Sequence, residues 1–472
     1  MSGVSDDPAP KQPRARTRWS AVLAFGLATL LVASESSLAA FALPLVGAEF
    51  GVGATTTAWV VLAYALPLAA LAIPAGRWVD QADLRAVFAL SLAGVGAAGA
   101  LAALAPTLWA LLAARAVQGV ASALYLAVYL PVVADAVRAE QRGRAMSLIQ
   151  TVMMIGSIAV APVGGVVAEA FGWRAVFVFK LPLLAALLWW GWRAIPPRRA
   201  AGPRLPAPAA SALTDAVVLG GAVGLGLLAV ERIGGAWPIS LALGIAAAAG
   251  GAVWLRLPAA APVVALVRRP AFGAAAAALV LVAALSGLTI VSLPYFVSEV
   301  MGRSPEVLGV AMMLFTAAAA ALSPLGGLLA DRFTPLAVAR LGSALTALAL
   351  LTMLGLDAGS GLYSLSWRMA LVGAAMALFM APVMTALLGA APVGEEGTAG
   401  GVANLARTLG NTVGPAIAAL AWAMAGSGEA GLRAGVWALA GCALAAFAVL
   451  LIARRPPMPT PAAVAGGYDR PS

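Results

Sequence analysis

The chain has 472 residues, of which 62% are hydrophobic and only 10% are charged, and its mean hydropathy is +0.97. Because soluble domains carry about a quarter charged residues, this composition indicates a membrane protein. The sequence has no histidine, one cysteine and two lysines, which excludes a histidine base, a Cys/His metal cluster and the Gly-Lys-Ser/Thr loop of nucleotide hydrolases. We therefore expect no cofactor, no bound metal and an energy source outside the chain.

The net charge of +10 raises the question of a nucleic acid partner. The arginines fall between apolar runs, and no stretch is both basic and long enough to fold as a soluble binding domain. The charge therefore reports membrane topology, and we expect a lipid bilayer and no nucleic acid as partner.

Fourteen apolar stretches are long enough to cross the hydrocarbon layer, which takes about 20 residues. They lie near residues 20-43, 57-76, 85-105, 107-133, 146-170, 174-194, 212-231, 238-256, 271-297, 306-330, 336-356, 367-391, 399-425 and 432-453. The sequence thus predicts an all-α integral membrane protein.

Arginine and lysine are concentrated on one side of the predicted spans, which is cytoplasmic by the positive-inside rule. Both termini, residues 1-19 and 454-472, then lie in the cytoplasm. Residues 195-211 are rich in proline and arginine and read as a cytoplasmic linker. It separates a first six-helix bundle, 20-194, from two extra helices, 212-256, and a second bundle, 257-453.

Two loops share a glycine followed four residues later by an aspartate, Gly76 and Asp80 in one and Gly327 and Asp331 in the other. The aspartates are 251 residues apart, an interval that holds about eight spans rather than six. The sequence thus predicts a duplicated six-helix unit with a two-helix insertion, and internal repeats of this kind are typical of secondary transporters.

Motifs along nearly the whole chain resemble the major facilitator superfamily, and most closely its fourteen-span drug:proton antiporters. Span one contains SESSLAAFALP, with Glu35 at the family's acidic position, and is followed by WVVLAYAL. Five further segments complete the set. They are the loop motif with Arg85, RAVQGVASA in span four with Arg115 and Gln118, APVGG in span five, FGWRAVFVFKLP and GGVANLARTLGNTVG. The chain departs from the family at Gln81, Asp83, Ala161 and Lys180.

The resemblance implies export of lipophilic compounds in exchange for protons across the plasma membrane, by a monomer. Glu35 is the candidate proton carrier, because an ionised carboxylate inside a span costs several kcal/mol. Arg115 is expected near the proton path, or it bonds helix carbonyls as a structural residue. Lys180 lies at a similar predicted depth to Glu35, where it either pairs with Glu35 or snorkels to the interface.

Three further groups of residues are candidates. Asp80 and Asp331, with Gly76, Arg85, Gly327 and Arg332, are expected to hold one conformation by pairing with arginine or a helix N-terminus. The resemblance ties Gly156, Pro162, Gly164 and Gly165 to antiport, although small residues also serve helix packing. Candidate cavity residues are Gln118, Tyr125, Tyr129, Asn404, Arg407 and Asn411; the tyrosines are equally compatible with packing.

Other functions remain open at this point. One is a dedicated exporter of a metabolite or natural product, and another is a proton-symporting importer with the same fold. A membrane-embedded enzyme is disfavoured by the missing histidine and cysteine pair, and a channel or sensor is a further alternative.

Overall fold

A computed structural model describes residues 17-57, 59-197, 203-207, 210-231, 237-303, 305-426 and 428-453 of the chain. Within these ranges the protein is helical. The predicted tails, 1-16 and 454-472, lie outside the described residues.

In the described part of the first half there are ten α-helices and one 3-10 helix, Ala139–Gln141. The α-helices are α1 (Trp19–Ala33), α2 (Glu35–Phe50), α3 (Ala54–Thr57), α4 (Trp59–Ala70), α5 (Ala72–Asp80), α6 (Leu84–Ala103), α7 (Leu108–Ala127), α8 (Tyr129–Ala136), α9 (Arg142–Val178) and α10 (Leu181–Ala194).

The described parts of the middle segment and of the second half are also helical. The middle helices are α11 (Ala210–Glu231), α12 (Trp237–Trp254) and α13 (Ala260–Val267). The second half contains α14 (Pro270–Ala283), α15 (Leu293–Tyr295), α16 (Pro305–Arg332), α17 (Pro335–Thr352), α18 (Leu362–Ala390), α19 (Glu396–Ala425) and α20 (Glu429–Ile452). Two π-helical turns, Leu288–Ser292 and Phe296–Val300, extend α14 toward α16.

Ten helices of the described chain are long and apolar enough to cross a membrane. The pair α4 and α5, bent by 47°, makes an eleventh when it is counted as one span, and α1 is apolar but shorter. This is a multi-pass membrane protein. The predicted number of fourteen spans stays a prediction.

Several predicted spans are interrupted where the local sequence explains the break. Ser34 separates α1 from α2, so that Glu35 is the first residue of α2. Gly172, with φ 80°, breaks the path of α9 close to the predicted loop at 171-173, because its left-handed backbone suits glycine. Helix starts also follow the sequence: the Asp83 side chain accepts a hydrogen bond from the Ala86 N–H (2.9 Å) and caps α6.

The linker and the first extra helix are tied to the end of α5. Asp215 in α11 forms an ion pair with Arg77 and accepts a hydrogen bond from the Trp254 indole in α12. The indole of Trp78 donates to the Pro206 carbonyl (2.9 Å), and the Asp83 N–H donates to the Arg204 carbonyl (2.9 Å). The basic linker therefore packs on the loop that carries Asp80.

Candidate functional site

A cluster of three buried charges lies inside the first half. The Glu35 carboxylate forms ion pairs with Lys180 (2.5 Å) and Arg115 (3.3 Å). All three side chains are at most 2% exposed. Lys180 precedes α10, Arg115 belongs to α7 and Glu35 begins α2, so three different helices meet at one carboxylate. Of the two alternatives for Lys180, the structure has the ion pair, because a buried carboxylate lies within reach of its ammonium group.

Further contacts fix the Arg115 guanidinium. It donates to the Val60 carbonyl (3.0 Å) and to the Gln118 side-chain oxygen (2.6 Å), and it stacks 4.5 Å from the centre of the Tyr64 ring. Gln118 is fully buried in this cluster. Gln118 thus contacts Arg115 and is not among the residues that line the cavity between the halves described below.

Asp80 caps a helix of the opposite half. Its carboxylate accepts hydrogen bonds from the Gly397 N–H (2.6 Å), the Thr398 N–H (2.8 Å) and the Thr398 hydroxyl (2.5 Å) at the start of α19. These amides are among the first N–H groups of the helix, which have no partner within it, and the helix dipole favours a negative charge there. We call this contact the first latch.

Asp331 makes the equivalent contact in the reverse direction. At the end of α16 it accepts hydrogen bonds from the Gly143 N–H (2.6 Å) and the Arg144 N–H (3.1 Å) at the start of α9, and it forms an ion pair with Arg144 (3.5 Å). We call this the second latch. Each half of the chain thus supplies one aspartate to a helix N-terminus of the other half, and both latches are closed in this structure.

The predicted glycines allow these latches to close. A Cβ on Gly76 would lie 2.2 Å from the Gly397 carbonyl oxygen, and one on Gly327 would lie 2.5 Å from that of Gly143. Any larger residue would push the halves apart at these two points.

The two arginines predicted to act with the aspartates lie elsewhere. Arg85 donates to the Ile195 carbonyl (2.9 Å) and lies over the Trp192 ring, which places it within the first half. Arg332 is exposed and lies 5.9 Å from the centre of the Phe333 ring. The described contacts of these arginines stay within their own halves, and the two aspartates accept hydrogen bonds from backbone N–H groups instead.

A small cavity lies between the two halves, next to the part of α19 that follows the first latch. Its lining includes Tyr129 and Gln150 from the first half and Asn404 and Arg407 from the second. Arg407 donates to the Asn404 side-chain oxygen at 3.1 Å. Of the six cavity candidates, the structure brings Tyr129, Asn404 and Arg407 together.

Tyr125 and Asn411 are not part of this lining. Tyr125 is fully buried in the first half, where its hydroxyl donates to the Phe25 carbonyl (2.7 Å) and its ring stacks on Phe25 at 5.0 Å. The packing alternative is therefore the correct one for Tyr125. Asn411 is exposed, and its carbonyl accepts a hydrogen bond from Ser286.

The predicted antiport motif lies in α9. Gly156 is in tight contact with α1, since a Cβ there would lie 1.9 Å from a methyl carbon of Leu30. Gly164 is buried, and a Cβ on Gly165 would meet no atom within 4 Å. The side chain of Pro162 lies outside the described part of the chain.

Some residues of the site were not singled out from sequence. Thr398 and Gly397 escape notice because an N–H at a helix start carries no side-chain signal. Asp215, an acid near the start of the seventh predicted span, was a visible signal for its pair with Arg77. Within the described ranges, no three metal-ligating side chains come together.

A family model described as Major Facilitator Superfamily matches residues 25-217 and 275-467. The two segments leave residues 218-274 between them, which contain most of the predicted two-helix insertion.

Among curated proteins, the multidrug efflux pump LfrA of Mycolicibacterium smegmatis is 36% identical over 196 residues, which are 41% of this chain and 39% of that protein. The multidrug resistance protein Stp of Mycobacterium tuberculosis is 27% identical over 85% of this chain and 75% of that protein. The human organic anion transporter MFSD10 has a similar fold, with a TM-score of 0.64 at 19% identity, covering 93% of this chain and 100% of that one.

Proposed function

Because the chain belongs to the Major Facilitator Superfamily, we propose that it exports lipophilic small molecules across the plasma membrane in exchange for protons. The single observation that carries the coupling is the buried carboxylate of Glu35 between two cations. Efflux as the direction is supported by the names of the relatives LfrA and Stp.

The charge balance of the cluster restricts how a proton is carried. With all three groups ionised, one carboxylate faces two cations at sites of at most 2% exposure. Protonating Glu35 in place would leave Arg115 and Lys180 without a counter-charge, which a buried site tolerates poorly. Proton uptake at Glu35 is therefore coupled to loss of the Lys180 proton or to a movement that admits water to the cluster.

The two latches supply the conformational part of the cycle. Both join the halves on the face that the arginine distribution predicts to be cytoplasmic, so their closure corresponds to the state that faces outward or is occluded. Opening both latches admits substrate from the cytoplasm, and closing them commits the substrate to release outside.

The test replaces the carboxylate while keeping its shape. Glu35→Gln alone leaves two buried cations, so the charge-matched variant is the double substitution Glu35→Gln with Lys180→Gln. We expect this variant to bind substrate and to exchange it downhill, but to lose accumulation driven by an imposed pH gradient in everted vesicles.

Glu49→Gln is the matched control. Glu49 is also on α2 but is 40% exposed and pairs with Arg174 at the surface (2.7 Å). Substrate-induced proton release from purified protein should persist in this control and vanish in the Glu35 variants. Normal gradient-driven accumulation without Glu35 would place the proton site elsewhere, and accumulation in the opposite direction would favour the importer.

A further inference from the structure

The lining of the cavity between the halves combines apolar and polar side chains. Leu126, Met153 and Met384 contribute apolar surface from both halves, while Asn404 and Arg407 stand on α19. Methionine side chains adapt to ligands of different shape, and a few fixed polar groups set the orientation of a ligand. The lining is therefore that of a site for an amphiphilic molecule.

On α19 the lining presents two hydrogen-bond donors, the Arg407 guanidinium and the Asn404 amide nitrogen. Because the Asn404 oxygen accepts from Arg407, the amide nitrogen of Asn404 points away from Arg407. That nitrogen is buried and has no hydrogen-bond partner among the described residues, and Asn404 is 8% exposed. A buried donor without an acceptor is unfavourable, so an acceptor group of a ligand would be stabilised beside this nitrogen.

The charges around the cavity favour a negative ligand. Arg407 forms no ion pair with any carboxylate of the described chain. Glu35 is already paired with two cations, and Asp80 is held by the start of α19. Arg407 is thus a cation at the cavity with no ion pair to a carboxylate of the described residues, and it repels a cationic ligand and attracts an anionic one.

We infer that Arg407 and Asn404 form a binding site for the anionic group of the substrate, a carboxylate or an acidic phenol on a lipophilic body. A guanidinium and a neighbouring amide N–H offer donors to both oxygens of such a group. The apolar side chains Leu126, Met153 and Met384 would contact the body of the molecule once the latches open, because the cavity of this closed structure is too small to hold it. This inference rests on the proposed function for transport, while binding itself is tested separately.

The test uses two dyes with the same xanthene ring system and opposite charge, fluorescein and rhodamine 123. Binding to the full-length purified protein is measured by fluorescence anisotropy. We expect wild type to prefer fluorescein, and Arg407→Gln to weaken fluorescein binding at least tenfold without weakening rhodamine 123.

Two further variants and a control make the result specific. Arg407→Lys, which keeps the charge, should lose only a few fold of the fluorescein affinity, and Asn404→Ala should lose about threefold. Arg303→Gln removes an exposed arginine far from the cavity lining and should change neither dye. Size-exclusion profiles show which variants fold. If Arg407→Gln does not fold, the binding data of Arg407→Lys and Asn404→Ala test the inference.

Three results would overturn the inference: equal or tighter binding of rhodamine 123 by wild type, an equal loss of both dyes in Arg407→Gln, or no binding of either dye. Charge-dependent binding of fluorescein without export in energised everted vesicles would instead leave the anion site standing and refute the proposed export.

Discussion

Replacing Asp80 by asparagine should shift the protein toward the state with an open first latch. The asparagine side chain keeps one acceptor oxygen, so one of the two backbone N–H groups at Gly397 and Thr398 loses its partner. A buried unpaired N–H costs about 1–3 kcal/mol, and the lost charge at the helix N-terminus costs about 0.3–1 kcal/mol. A total of about 2 kcal/mol moves the equilibrium between closed and open latches roughly 30-fold.

Distances between spin labels measure this equilibrium. Cys442 is replaced by alanine, and labels are placed at exposed positions on the two sides of the latches, Ala139→Cys in the first half and Val393→Cys in the second. Asp80→Asn should increase the population with long distances. Asp331→Asn should do the same to a smaller extent, because Asp331 lacks a hydroxyl partner and its ion pair with the half-exposed Arg144 contributes only about 0–1 kcal/mol.

Asp83→Asn is the control for this experiment. Asp83 lies three residues from Asp80 but caps α6 within its own half. Because asparagine caps a helix about as well as aspartate, Asp83→Asn should leave both the melting temperature and the distance distribution nearly unchanged. An unchanged distribution in both Asp80→Asn and Asp331→Asn would refute the latch mechanism.

Three other variants test the buried groups. Glu35→Gln should destabilise the protein by about 3–5 kcal/mol, since it leaves two buried cations unpaired. Adding Lys180→Gln should restore part of the lost stability, and thermal unfolding followed by tryptophan fluorescence measures both changes. Tyr125→Phe should cost about 1 kcal/mol of stability and leave substrate affinity unchanged, because its hydroxyl bonds the Phe25 carbonyl in the core. Gly76→Val should keep the first latch open in the spin-label distances, because a side chain there collides with the Gly397 carbonyl.

The sequence predicted the charged residues of the site better than their partners. Glu35 and Asp80 stand out because charge inside or between apolar runs is costly, and the repeat pointed from Asp80 to Asp331. Their partners depend on which helices meet in the folded protein. Lys180 is one example: its depth matched that of Glu35, but only the packing of α2 against the end of α9 decides between an ion pair and snorkelling.

Aromatic and small residues were harder to assign. Tyr125 and Tyr129 share a helical register, yet one hydroxyl faces the core of the first half and the other residue lines the cavity. Both rings stack on Phe25, at 5.0 and 5.6 Å between ring centres, so the four-residue spacing does place them on one face. The sequence could not show that only Tyr129 also borders the cavity, because that depends on where the second half packs.

The pair of Arg77 and Asp215 determines which parts of the chain move as one body. It fastens α11 to the end of α5, and Trp254 on α12 bonds the same carboxylate. When the halves rock, we therefore expect the extra helices to move together with the first bundle. We infer that the chain flexes after Trp254, in the stretch that contains α13, because residues 203-207 of the linker are hydrogen-bonded to the first bundle at Trp78 and Asp83.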